Sequence, residues 1–336
     1  MKAQGVQVGV DVGGTNIKFG IVDDEGRILF RRKTATDPQR GSDAILASII
    51  DQIEELLREA GRRPEDVSGI GLGVPGTADS DTGTVVYAPN IFWTNVAVAP
   101  AMHKVFSAPV CVAQDTRAAA WGEYQAGAAR RARSIAAVTL GTGIGCGMVI
   151  DGKIFHGSLN TAGEFGHQIV EIDGEPCNCG RFGCLEAHAG GLAIVREAKR
   201  RIPGLAQKCG KSEAAIGVDD VYALALRGDP QAQAIAESVV RYIGVGLVNL
   251  LNLTSVEMIC ISGGISNAPA ELLQEPLFAF VRKRAYTTAA AKVQLCRSAL
   301  GEDAPLIGAA LLYRGVAHAA NNGAGVGTAA AAHQTV

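Results

Sequence analysis

The sequence has no excess of charge of one sign: 31 lysines and arginines stand against 33 aspartates and glutamates in 336 residues. No long run of either sign breaks that balance, so neither a polyanion track nor a membrane-surface patch organises the chain. A small, nearly neutral ligand, or one neutralised by a metal ion, suits such a surface. The opening stretch, MKAQGVQVGVDVGG, lacks the basic segment and long apolar core of a secretory leader. No later uninterrupted apolar run reaches the roughly 18 residues of a membrane span. These absences predict a cytoplasmic protein that works on a small molecule, with no nucleic-acid and no membrane partner.

Eight cysteines are present, but in a reducing cytosol they are expected as buried small hydrophobes or metal ligands rather than disulfides. Cys111, Cys146, Cys209, Cys260 and Cys296 stand alone in the sequence and read as packing. The other three fall within EFGHQIVEIDGEPCNCGRFGCLE, residues 164 to 186.

With 48% hydrophobic residues the chain can bury a sizeable core, and its length predicts two lobes. The first segment, VQVGVDVGGTNIKFGIVDDEGRILFRRK, reads as three strands joined by turns. Apolar residues at Ile45, Ile49, Ile53, Leu56 and Leu57 predict an amphipathic helix over 42–60. Strands are predicted at 67–74 and 108–113, with a turn-rich stretch, GTADSDTGTVVYAPN, between them. A helix follows at 115–127, then strands at 134–140 and 145–150. The second half carries helices at 185–201, 218–227 and 230–252, a strand at 256–262, and further helices to about 315. Strands alternating with helices after a hairpin start predict an α/β architecture. The expected lobes are 1–114, completed by a C-terminal helix at 306–318, and 115–305, with a low-complexity tail at 321–336 expected to be disordered.

Asp11-Val12-Gly13-Gly14-Thr15 lies between two strands, so it fits neither a Walker loop nor a dinucleotide-binding fingerprint. Amides at a tight glycine turn can still cradle phosphate oxygens, and a neighbouring acid can hold hydrated Mg²⁺. An ordinary hairpin turn with glycine at positive φ is the plain alternative. Gly141-Thr142-Gly143 repeats the arrangement after another apolar strand, and Gly263-Gly264 follows a third. A glycine pair there lets a helix or a flat purine ring approach the backbone.

His167, Cys177, Cys179 and Cys184 supply one imidazole and three thiolates from one loop, the ligand set of a tetrahedral zinc site. Four protein ligands leave no open position, so the metal would be structural. Unrelated free cysteines are the alternative. A zinc-fixed loop would also fix Glu164 and Glu186, whose carboxylates can accept hydrogen bonds from sugar hydroxyls, and His167 could offer its second ring nitrogen. Asp115 stands where a strand hands over to a helix, a place that suits a helix cap as well as a proton acceptor. Trp93 reads by default as core.

DVGGTNIKFGIVD, GLGVPG, LGTGIGCGMVIDGKI, TAGEFGH, CNCGRFGCLE and SGGIS, in this order, resemble the ROK family of sugar kinases, closest to its bacterial glucokinase branch, over about residues 6 to 315. The resemblance implies a two-lobed actin-like ATPase (ribonuclease H-like) fold with a cleft between the lobes. It implies phosphorylation of a hexose hydroxyl, glucose foremost, using ATP and Mg²⁺ with a structural Zn²⁺, in a homodimer or higher assembly. Asp115 matches the family's catalytic base. Gly76, Asn90, Gln114, Asp115, Glu164, His167 and Glu186 match its sugar-binding positions. Asp11, Gly13, Gly14, Thr15, Gly141, Thr142, Gly143, Gly263 and Gly264 match its nucleotide-binding positions, and His167, Cys177, Cys179 and Cys184 its zinc ligands.

Gln114-Asp115-Thr116-Arg117 departs from the family's usual Asn-Asp, small residue, Asn. That departure keeps open another acceptor: mannose, an amino sugar, an N-acetylhexosamine or a cyclitol. Arg117 adds a cation that could meet phosphate, a carboxylated substrate, or Glu123 on its own helix. The family also contains sugar-responsive repressors with a DNA-binding helix-turn-helix domain ahead of the first glycine turn. That turn begins at Asp11, which leaves no room for one, so the sequence predicts an enzyme.

Overall fold

The computed structural model describes residues 5–315. The predicted tail and the end of the helix predicted over 306–318 lie outside them.

The first lobe forms around β1 (Val6–Val12), β2 (Asn16–Val22) and β3 (Ile28–Ala35), followed by α1 (Ser42–Glu59) and β4 (Val67–Val74). Next come a small hairpin sheet of β5 (Thr77–Asp79), β6 (Thr84–Ala88) and β7 (Trp93–Ala97), a short α2 (Val98–Met102), and β8 (Val110–Gln114). The stretch expected as turns therefore contains two strands. Its glycines and acids occupy the connections, while Ala78, Val85 and Ala88 are buried. The principal sheet has the order β3-β2-β1-β4-β8. α1 presents Ile45, Ile49, Ile53, Leu56 and Leu57 to this core, at the spacing that predicted it.

α3 (Asp115–Gln125) leads to β9 (Ile135–Leu140), β10 (Ile144–Ile150) and β11 (Lys153–Ile154). Then follow α4 (Leu185–Ala189), α5 (Gly191–Arg201), α6 (Leu205–Cys209), α7 (Val218–Leu226) and α8 (Pro230–Thr254). β12 (Met258–Ser262), α9 (Gln274–Arg284), α10 (Thr287–Ala290), β13 (Gln294–Arg297) and α11 (Ala304–Ala310) complete the described chain. The predicted helix at 185–201 is two helices, because Gly190 adopts an extended conformation at the end of the first. By length and composition α8 could cross a membrane, but Ile235, Val239, Ile243, Leu247 and Leu251 are buried in the lobe's own core. The second sheet has the order β11-β10-β9-β12-β13.

Both large sheets follow one plan: an antiparallel hairpin, β1–β2 or β9–β10, extended by parallel strands. The internal echo of the two glycine motifs is thus an echo of whole sheets. α3 packs against strands of both sheets and against α11. The two helix backbones touch: a Cβ built on Gly308 would lie 1.6 Å from the Ala118 carbonyl oxygen. Asp115 opens this shared helix.

Candidate active site in the cleft

β1 ends at the first glycine turn, where the Gly13 amide donates to Asn16 O at 2.9 Å and Thr36 Oγ1 donates to Gly13 O at 2.6 Å. Neither Gly13 nor Gly14 has positive φ, but a Cβ on Gly13 would lie 2.9 Å from Asn16 O within the turn itself. At Gly14 a Cβ would meet Asn90 O at an ordinary contact distance of 3.7 Å. Asn90 thus lies beside the first glycine turn. In the second turn the Gly141 amide donates to Gly143 O at 2.9 Å. The amides of Gly14, Thr15, Thr142 and Gly143 have no intramolecular acceptor among the described residues. They remain as donors for an anion. A Cβ on Gly263 would strike Leu140 O at 2.3 Å, whereas Gly264 has open space before it.

Asp11 faces Lys18 across the β1–β2 hairpin, with Oδ2 3.6 Å from Nζ. Burial raises its pKa and Lys18 partly offsets the rise. Lys18 was not singled out from sequence, although its register opposite Asp11 follows from the symmetric hairpin.

Asp115 is the first residue of α3, and the cap position belongs to Gln114, whose side chain makes no capping bond. Asp115 Oδ1 accepts only from the amide of Thr116, at 2.7 Å. That bond satisfies one free N–H of the helix's first turn, so a local structural role stands beside any chemical one. Burial, with the neighbouring charges of Asp11 and Glu164, pushes its carboxyl up to about 7. Such a group accepts a proton at neutral pH far more readily than an exposed aspartate does.

Glu164 lies near enough to Asp115 that its charge contributes to that rise. Its Oε1 accepts from Gln114 Nε2 at 3.4 Å, and its Oε2 lies 4.0 Å from His167 Nε2. Gln114 Oε1 is buried without a partner. Gly76 has φ 85°, and a Cβ there would lie 2.2 Å from Tyr87 O, so only glycine fits. Trp93 is fully buried, as its default reading held. Glu186 Oε2 accepts from the Ile144 amide at 2.8 Å and so braces the second glycine turn.

The candidate zinc ligands converge. One ligand atom from each of His167, Cys177, Cys179 and Cys184 lies within 4.8 Å of the others. Cys179 Sγ and Cys184 Sγ are 3.7 Å apart, and His167 Nδ1 is 3.8 Å from Cys177 Sγ. Tetrahedral zinc with Zn–S near 2.3 Å separates sulfurs by about 3.8 Å, so the donor set fits that ion. His167 turns Nδ1 to the thiolates and leaves Nε2 facing Glu164.

Two expectations change. Arg117 does not meet Glu123; it donates to the carbonyls of Asn160 and Ala162. Glu123 instead accepts from Ala128 N, Ser298 Oγ and Leu300 N. Cys260 and Cys296 do not stand apart in the fold, because parallel pairing of β12 with β13 sets their sulfurs 3.4 Å from each other.

The chain matches the ROK family over residues 7–316 and belongs to it. It is 34% identical over 316 residues to the glucokinase of Halalkalibacterium halodurans, spanning 91% of this chain and 94% of that one. It is 28% identical over 315 residues to the xylose repressor of Caldicellulosiruptor bescii, spanning 91% of this chain and 77% of the repressor. Among solved structures it resembles a ROK family glucokinase from Streptomyces griseus in complex with glucose and AMPPNP. That structure shares 35% identity with a TM-score of 0.77, covering 92% of this chain and 99% of the other. The two-lobed α/β architecture is accordingly the actin-like ATPase fold of ROK sugar kinases.

Proposed function

We propose that this chain is a sugar kinase that transfers the γ-phosphoryl group of ATP to the terminal hydroxyl of a hexose, glucose foremost. The observation that carries the reading is Asp115: a half-buried carboxylate at the joint of the two lobes, with its pKa raised to about 7. It would accept the hydroxyl proton as the oxygen attacks phosphorus. The kinase relatives support the same chemistry.

The free amides of Gly14, Thr15, Thr142 and Gly143 would take phosphate oxygens from opposite lobes, and the open face of Gly264 suits the purine. Asp11 would orient hydrated Mg²⁺, which neutralises charge on the transferring phosphates. Glu164, His167 and Asn90 would bind sugar hydroxyls, with the Gly76 backbone close by, and Glu186 would hold the second turn in shape. His167, Cys177, Cys179 and Cys184 would hold a structural Zn²⁺. A homodimer is the assembly we expect.

A second acceptor class is favoured by one observation. Gln114 stands beside Asp115 with its carbonyl oxygen buried and unpartnered, and a donor such as an amino or acetamido group on the sugar would satisfy it. An ADP-release assay with Mg-ATP over glucose, mannose, amino and N-acetylated hexoses and cyclitols separates the readings. Glucose turnover is the expected result. Turnover on an amino or N-acetyl sugar instead assigns Gln114 to that substituent. Silence on every acceptor contradicts the kinase reading and leaves sugar binding without transfer, the behaviour a repressor would show.

A further inference from the structure

Arg117 is 1% exposed, yet no carboxylate lies within ion-pair distance of it among the described residues. Its polar contacts run through Nη2, which donates to Asn160 O at 2.8 Å and Ala162 O at 2.9 Å. Nε and Nη1 are buried and unpartnered. Burial disfavours its charge, and Glu164 is the acid whose field offsets that. A guanidinium placed so expensively for folding alone calls for a role beyond packing.

The two carbonyls belong to a tightly folded loop. The Ala162 amide donates to His156 O at 3.1 Å and the Asn160 amide to Gly157 O at 3.3 Å. Asn160 sits at φ 54° and Gly163 at φ 97°, and a Cβ on Gly163 would lie 2.2 Å from Cys146 O. The next residue is Glu164. The far end of the tie is α3, two residues after Asp115. One helix therefore carries the proposed base and grips the loop that leads into Glu164.

We infer that Arg117 is a positioning residue that sets sugar affinity without touching sugar: by holding Asn160 O and Ala162 O it fixes Glu164 against Asp115. The inference rests on the sugar-kinase reading. A lysine carries a single ammonium on a flexible stem and lacks the rigid fork of arginine, so it reproduces the tie only in part.

The test compares full-length wild type, Arg117→Lys and Arg117→Met, by steady-state kinetics with the preferred sugar and by hydrogen exchange without it. The sugar KM should rise about tenfold or more in Arg117→Met and a few-fold in Arg117→Lys, with the Mg-ATP KM within about twofold of wild type. Amides of residues 157–164 should exchange faster, and those of the turn at 11–16 should not. Both KM values rising together, an unchanged sugar KM in a folded variant, or unchanged exchange in the loop would each overturn the inference. Should Arg117→Met fail to fold, Arg117→Lys decides alone. Wild type inert toward every sugar would overturn the kinase reading, and loop exchange would still judge the tie by itself.

Discussion

In the small lobe the glycine turn is braced from within its own sheet: Thr36, just beyond β3, bonds Gly13 O, and Lys18 on β2 faces Asp11 on β1. In the large lobe the matching turn leans on a different element. Glu186 at the start of α4 accepts the Ile144 amide, and α4 begins immediately after Cys184 of the proposed zinc loop. Two sheets of one design thus hold their turns by different means, one by local pairing and one through the cysteine loop. Loss of the metal should disturb the second turn and spare the first. Asp115 belongs to neither turn; it stands on the helix that joins the sheets.

The largest effect is expected at that joint. Asp115→Asn should lose about 10³-fold in kcat while binding sugar nearly as wild type does, measured by single-turnover kinetics and calorimetric titration. It should also change stability. The folded pKa of Asp115 is raised from 3.8 to about 7, so its contribution is fully present below pH 3.8 and is lost as pH rises through 7. The variant should melt above wild type at pH 8, and the gap should narrow at pH 5. Equal melting at both pH values would remove the raised pKa from the account.

Disrupting the proposed zinc site comes next. Cys184→Ala, or extended treatment with a strong chelator, should lower the melting temperature by about 10 °C and turnover about 10²-fold. Exchange of the amides at 141–144 should accelerate with that of the cysteine loop, while 11–16 stay protected. Acceleration at both turns would break the comparison between the lobes. Glu186→Gln keeps the shape and weakens the acceptor, and should raise the Mg-ATP KM about tenfold with the metal content unchanged. Thr36→Val, which deletes one bond to the first turn, should raise it only about threefold.

Much of this was readable in the sequence because it was written locally. The helix over 42–60 and the hairpins around both glycine turns depend on short-range periodicity, and His167, Cys177, Cys179 and Cys184, which converge, lie within one loop. What escaped depends on distant partners without a residue signature. Arg117 reaches backbone carbonyls 43 and 45 positions away, and any residue carries a carbonyl. Cys260 and Cys296 meet only because β12 and β13 pair in parallel. That Glu186 accepts from the Ile144 amide was likewise not visible in the sequence, because a backbone amide carries no residue signature. The small sheet at 77–97 was hidden by glycines and acids that mark turns even when the turns separate strands of a few residues.

The most direct measurement is the pH dependence of kcat/KM for the preferred sugar. A base of pKa about 7 must be deprotonated to act, so the rate should fall about tenfold per pH unit on the acid side of 7 and level off above it. That limb should vanish from the residual activity of Asp115→Asn. A flat profile between pH 5 and 8, or a limb near the ordinary aspartate value, would contradict Asp115 as the base of this kinase.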